Sequence, residues 1–358
     1  AVYSASAMIS HKSYQGDMHF LLRQIFAVFM ALAVVYVSYR IPYKAYLSLI
    51  KIIFPIALIL LVFTLFSGVS HNDARRWLEL PGVGIELQTS EIAKVALIMF
   101  IARMLAVTKD EETKDKNAKI AAWAVLFTVA LIFPADLSSA LMIMFIALVI
   151  MFVSGVKLKK VYVVLLVAIA GFIIYVLLAE ALDLPGRLST WIHRIEVFFS
   201  PETELSPDET YQSDISKMAI VNGGFWGRGP GNGTMRFLLP QSHSDFIFAF
   251  IIEEYGIWLA TIIMLLYGAL FYRGIRIARK AKSLFAIYLT LGLTIAIVLQ
   301  AFINMGVSLG ALPVTGQTLP LISMGRTSLL VTSFSIGIIL NISKMTESEY
   351  ETNSIEND

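Results

Sequence analysis

The feature that most constrains this chain is a succession of long apolar runs. IFAVFMALAVVYVS (25–38), IIFPIALILLVFTLF (52–66) and VYVVLLVAIAGFIIYVLL (161–178) are three of them. A helix crosses a bilayer core of about 30 Å in roughly 20 apolar residues. Backbone groups in hydrocarbon must be paired within the segment, so such runs become helices. The ten-residue alternation of a membrane β-barrel is absent. Composition agrees: 57% of residues are hydrophobic and 15% charged, against about 45–50% and 25% in soluble domains.

The pattern predicts an all-α, polytopic helix bundle of about ten spans, the first apparently clipped. Complete spans are expected near 20–39, 45–66, 89–107, 118–134, 137–154, 161–182, 246–272, 284–308 and 327–343. Residues 1–9 read as the remnant of one more, and no cleavable signal peptide is visible. One transmembrane domain is expected over 1–345, with a polar, disordered cytoplasmic tail over 346–358.

Lys and Arg concentrate on one set of short loops. Arg40, Lys44, Lys51, Lys109, Lys114, Lys116, Lys119, Lys157, Lys159, Lys160, Arg273, Arg276, Arg279, Lys280, Lys282 and Lys344 fall there, which assigns those loops to the cytoplasm. Segment 109–119, charged with both signs, reads as a solvated linker. The opposite side carries loops 67–88, 183–244 and 309–326 and a tight turn at 134–137. Within the long loop, Leu188, Trp191, Ile192, Ile195, Phe198 and Phe199 share a helical face. That pattern fits helices lying in the interface plane.

Net charge is +2, which by itself says little about partners, and there is no cysteine, so disulfides and thiolate metal sites are excluded. The five histidines form no His-x-x-x-His pair, which gives zinc little support.

Several polar residues stand out against this background. Lys94, Asp136, Glu253, Glu254 and Arg326 fall near the outer ends of spans. Charges at membrane depth are costly, so each needs either a partner or a function. Lys94, Asp136 and Glu254 are consistent with a shared polar cavity. Asp245 sits where the long loop enters a helix. It is either an N-cap or a half-desolvated carboxylate suited to general-base work. His243 is a second polar group beside it. The run GGFWGRGPGNG (223–233) lacks a Walker lysine. It reads either as tight turns or as an anion-binding nest of N–H groups. Arg75, Arg76, Arg194, Lys217, Arg228 and Arg236 are outer basic residues. Arginine forks suit phosphate, and Trp77 fits an interfacial anchor.

RRWLEL with LQTSEIAK (75–94), PADLSSALMI (134–143), YQSDISKMAIVNGGFWGRGPGNG (211–233), LPQSHSDFIFAFIIEEYG (239–256) and the run from Asn304 to Ser328 together resemble the shape, elongation, division and sporulation (SEDS) family, the group containing FtsW and RodA. The resemblance covers nearly the whole chain. SHSDFIFA and TGQTLPLISMG look closer to the division branch, FtsW.

The resemblance implies a ten-span enzyme of the bacterial inner membrane with its site facing the periplasm. It would polymerise lipid II, an undecaprenyl-pyrophosphate disaccharide-peptide, into peptidoglycan strands by inverting glycosyl transfer. The family's essential loop aspartate falls on Asp245, expected to be the general base. Arg76, Trp77, Lys94, Asp136, Arg194, His243 and Glu254 are the expected substrate-binding residues. Arg76, Lys94 and Arg194 are the candidates for charge on the leaving diphosphate. Implied partners are a class B penicillin-binding transpeptidase and other divisome proteins. A divalent cation, Mg2+ or Mn2+, is compatible with a diphosphate substrate, but nothing in the sequence fixes its ligands. Three positions depart from the family's closing signature: Gln317, Met324 and Arg326, the last replacing a glycine. Two other readings remain, a lipid II flippase and a non-catalytic scaffold for the transpeptidase. A flippase needs polar residues through the inner half of the membrane as well, whereas here they cluster outside.

Overall fold

The computed structural model describes residues 17–71, 74–80, 85–108, 110–181, 188–200, 207–235, 238 and 245–355. Among them are eleven helices: α1 (Asp17–Arg40), α2 (Tyr43–Ser67), α3 (Thr89–Ala106), α4 (Glu111–Ile132), α5 (Leu137–Val153), α6 (Leu158–Ala181), α7 (Leu188–Phe199), α8 (Pro207–Gly223), α9 (Ile247–Lys280), α10 (Leu284–Ser308) and α11 (Arg326–Ile355). The protein is a multi-pass helical membrane protein. Five of these helices (α2, α6, α9, α10 and α11) are long and apolar enough to cross a bilayer, and α1 and α5 contain shorter apolar stretches. The long loop carries two helices, α7, which covers the pattern at 187–199, and α8.

Three local features differ from the sequence reading. First, α4 begins at Glu111, inside the stretch read as a linker. Asp110 caps it, accepting from Thr113 N at 2.6 Å, and Glu111 and Glu112 occupy the first turn, where the helix dipole favours anions. Second, α11 runs on to Ile355, past the domain boundary at 345. Third, the outer loop after α2 folds into a three-stranded antiparallel sheet of β1 (Val69–His71), β2 (Ala74–Leu80) and β3 (Ile85–Gln88), in the order β1-β2-β3. Its register pairs Trp77 with Gln88 and Leu78 with Leu87.

The chain divides into two compact units. The first comprises 1–33, 190–271 and 297–333; the second comprises 34–189, 272–296 and 334–358. In the second, α2, α3, α4 and α5 pack on one another around Ile50, Leu97, Ile101, Ile146 and Ile150, each buried. Small residues allow close approach: a Cβ on Gly337 would stand 1.9 Å from Ser38 Oγ. In the first, Ile215 and Ala219 of α8 pack with Phe246, Ala249 and Phe250 of α9 and Val307 of α10.

Loops assigned to one side by charge also meet one another. Lys160, ahead of the α6 core, pairs with Asp115 in the first turns of α4. On the other side, Arg76 of β2 meets the turn between α4 and α5.

Candidate active site

Asp245 precedes α9 by two residues, and the apolar cluster sets its position. Phe246 is 3% exposed and locked among Ile215, Ala219 and Val307. The helix opens with Ala249 N donating to Phe246 O, so Asp245 stands at the mouth, half-buried. Its carboxylate faces the loop between α10 and α11: a Cβ on Gly316 would lie 3.7 Å from Asp245 Oδ2. Its carbonyl accepts from Asn304 Nδ2 at 2.9 Å, and the same nitrogen donates to Gln317 O at 2.7 Å.

That loop is held at many points. Gln300 Nε2 donates to Thr318 O at 3.1 Å, and Leu319 N donates to Ser323 Oγ at 2.7 Å. Thr318 Oγ1 bonds Ser328 Oγ at 3.0 Å, and Tyr267 donates its hydroxyl to Pro320 O. Gly316 has φ of 73°, which glycine adopts without steric cost. Arg326, one of the three departures, is the first residue of α11, exposed and with negative φ. The position therefore requires no glycine.

Beside this loop lies a cleft of about 460 Å³, lined by His193, Arg194, Tyr211, Asp214, Lys217 and Pro313 among others. Arg194 of α7 donates from Nη1 to Val314 O at 3.0 Å. Val314 lines the cleft and packs on the cluster that seats Phe246. Gly316 is two residues further, about 7 Å along an extended chain. The basic cleft and the Asp245 carboxylate thus flank one short stretch of loop. Ser216 Oγ, donating to Ser308 O at 2.7 Å, ties α8 to the end of α10 beneath it.

Glu253 and Glu254 are buried, and α9 breaks immediately after them. Gly256 has φ 84° and ψ 172°, a region essentially confined to glycine. The glycine run packs into this break. Arg228 N donates to Glu253 O and Gly229 N to Glu254 O, both at 2.9 Å, while Ile257 N donates to Gly224 O at 3.1 Å. Gly227 N is bonded to Gly223 O at 2.8 Å. Glu253 Oε1 accepts from Thr234 N at 2.8 Å and from Met235 N at 3.1 Å. The N–H groups at 227–229 are committed to carbonyls, so these three belong to tight, close-packed backbone and are not offered to an anion.

The second unit holds Arg76, Trp77, Lys94 and Asp136. Arg76 Nη1 stands 3.3 Å from Asp136 Oδ2, and its Nε donates to Ala135 O at 2.7 Å. Asp136 caps α5: its Oδ1 accepts from Ser139 N at 3.1 Å and from Ser138 Oγ at 2.9 Å. Lys94 pairs with Glu91 one turn earlier on α3 at 2.8 Å, both side chains being at most 5% exposed. Trp77 lies half-buried on β2. Asp245, Arg194 and Glu254 belong to the first unit, and His243 lies outside the described residues. Among the described residues no group of three or more His, Asp and Glu converges as a metal cluster would need.

Sequence reasoning named Asn304 as the start of a matching run and gave it no role. Its signal was an amide inside the apolar run of α10, where a polar group needs a partner. The sheet was missed too, although Leu78-Glu79-Leu80 and Ile85-Glu86-Leu87 alternate on either side of Pro81-Gly82-Val83-Gly84, a hairpin pattern.

The family model described as "Cell cycle protein", that of FtsW, RodA and SpoVE, matches residues 1–348. The chain belongs to the FtsW, RodA and SpoVE family. Among relatives of this SEDS family, a probable peptidoglycan glycosyltransferase FtsW of Geobacter metallireducens is 34% identical over 349 residues, 96% of this chain and 89% of the relative. Stage V sporulation protein E of Bacillus subtilis is 32% identical, covering 96% and 92%. In fold the chain resembles the rod shape determining protein RodA of Thermus thermophilus, with a TM-score of 0.65 at 24% identity over 96% and 93% of the two chains. It also resembles a chain of a peptidoglycan synthase complex solved to show coordination of polymerization and crosslinking, with a TM-score of 0.71 at 24% identity over 96% and 95%.

Proposed function

We propose that this chain is a peptidoglycan glycosyltransferase that polymerises lipid II at the outer face of the cytoplasmic membrane, working with a class B transpeptidase. The carrying observation is Asp245: a half-buried carboxylate at a helix mouth, facing Gly316 beside a basic cleft. The names of the curated relatives support the activity. The basic loops on the opposite side support a site facing outward.

In the proposed step, Asp245 removes the proton from a sugar hydroxyl of the acceptor. That oxygen forms a bond to the anomeric carbon of the donor. The bond from this carbon to the diphosphate oxygen breaks, its electron pair leaves with the undecaprenyl diphosphate, and the configuration inverts. Arg194, lining the cleft, carries positive charge to the leaving group, where stabilisation counts most in the transition state. For Arg76, Trp77, Lys94, Asp136, His243 and Glu254 the family resemblance carries the proposed substrate contacts. The proposed step is assigned to side chains alone.

Purified protein given labelled lipid II, with and without its transpeptidase, tests the reading. Glycan strands are expected, and Asp245→Asn should lower the rate by at least about 100-fold, within the range of general-base contributions, while the protein stays folded. Translocation of lipid II in liposomes without strands would make it a flippase, and neither outcome would leave a scaffold.

A further inference from the structure

We infer that Asn304 is a positioning residue: its side-chain amide holds the main chain of Asp245 in register with the Gly316 loop. This rests on the reading of Asp245 as general base.

Asn304 lies on α10 and is 1% exposed. Its side-chain nitrogen donates to Asp245 O at 2.9 Å and to Gln317 O at 2.7 Å, both carbonyl oxygens. Carbonyls only accept, so the amide nitrogen must face them, and both its hydrogens are engaged. The orientation leaves Asn304 Oδ1 buried and, among the described residues, with no hydrogen-bond partner. A buried acceptor without a donor is unfavourable, and an apolar residue of similar size would avoid it. What the asparagine supplies in return is the bridge. Through one nitrogen it ties Asp245, two residues before α9, to Gln317, the residue after Gly316, and Gly316 faces the Asp245 carboxylate. Phe246 is fixed by apolar packing, which is non-directional; the Asn304 bridge adds a directional restraint. A displacement of about 1 Å at a reacting group costs on the order of 100-fold in rate.

The role makes a distinctive kinetic prediction. Asn304→Ala should lower the rate at saturating lipid II by about 10- to 100-fold, with KM within about 2-fold. It should slow an Asp245→Glu enzyme much less, because there the carboxylate is already displaced and the two losses overlap. A folded Asn304→Ala protein with an unchanged rate overturns the proposal. So does an equal fractional loss in both backgrounds, the mark of a purely structural residue. If Asn304→Ala does not fold, Asn304→Gln keeps an amide donor on a longer stem and should show a smaller loss with the same pattern. Failure of the underlying reading is recognised separately, by Asp245→Asn polymerising at the wild-type rate.

Discussion

Arg76 of β2 reaches Asp136 at 3.3 Å across the turn between α4 and α5, with its Nε on the carbonyl of Ala135 at 2.7 Å. The carboxylate is 2% exposed and the guanidinium 14%. This pair clasps the outer sheet to the helices of its unit. Removing one member of a buried pair leaves the other uncompensated, at about 3–5 kcal/mol. Asp136→Ala also removes the cap of α5 and should be the more damaging change. Arg76→Met alone should destabilise, and the two losses should overlap in the double variant. Thermal unfolding of the four proteins in detergent measures the coupling; strictly additive losses would show that the pair contributes nothing.

Lys94 and Glu91 invite the same treatment with a second readout. Each single neutralisation, Lys94→Met or Glu91→Gln, should destabilise, by up to about 3–5 kcal/mol, because it removes one partner of a buried ion pair. The double variant should recover most of that stability. Polymerisation should not recover with it, because the proposed substrate contact of Lys94 is gone. Restored activity in the double variant would reduce Lys94 to a structural part.

Two glycines of α9 should behave in opposite ways. A Cβ on Gly256 would stand 2.1 Å from Phe225 O, at a backbone angle that side chains rarely adopt. Gly256→Ala should therefore prevent accumulation of folded protein. Gly268 meets nothing within 4 Å. There the change to Ala should be neutral or stabilising by up to about 1 kcal/mol, since alanine loses less entropy in a helix. Detergent-extracted yield and melting temperature distinguish the two.

Asp115 provides a pH test away from the site. A hydrogen bond from Lys160, and then the charges of Lys160, Lys157 and Lys119, hold its carboxyl below the ordinary 3.8. A depressed folded value means stability that is present above 3.8 and lost as pH falls through the depressed value. The exposed setting keeps the effect small. A carboxyl chemical-shift titration should give a midpoint below 3.8, and Lys160→Met should move it upward. A midpoint unmoved by that change would remove Lys160 as the cause.

Hydropathy located the helices well because bilayer thickness sets their length. The span expected near 45–66 is α2 at Tyr43–Ser67, and that near 284–308 is α10 at Leu284–Ser308. Where hydropathy stops, at Glu111 or beyond residue 345, helices still continue, because caps and local bonds need no apolar residues. The candidate residues were named from motifs. Their partners could not be: Lys94 bonds within its own helix, whereas Asp245 is bridged by Asn304, 59 positions away. Local spacing carries no information about a bond of that length.

The break at Gly256 bears on how this chain can vary. The glycine run reads as an exposed loop, the usual place for insertions and deletions. Here Gly223, Gly227 and Gly256 would each bring a Cβ within 2.4 Å of a backbone atom, and the run's N–H groups supply what the interrupted helix lacks. One added residue between 224 and 229 would shift Arg228 and Gly229 off their carbonyls together. The segment that looks most tolerant of a change in length is therefore among the least able to accept one, and a tag or epitope placed there should fail where the end of α11 accepts it.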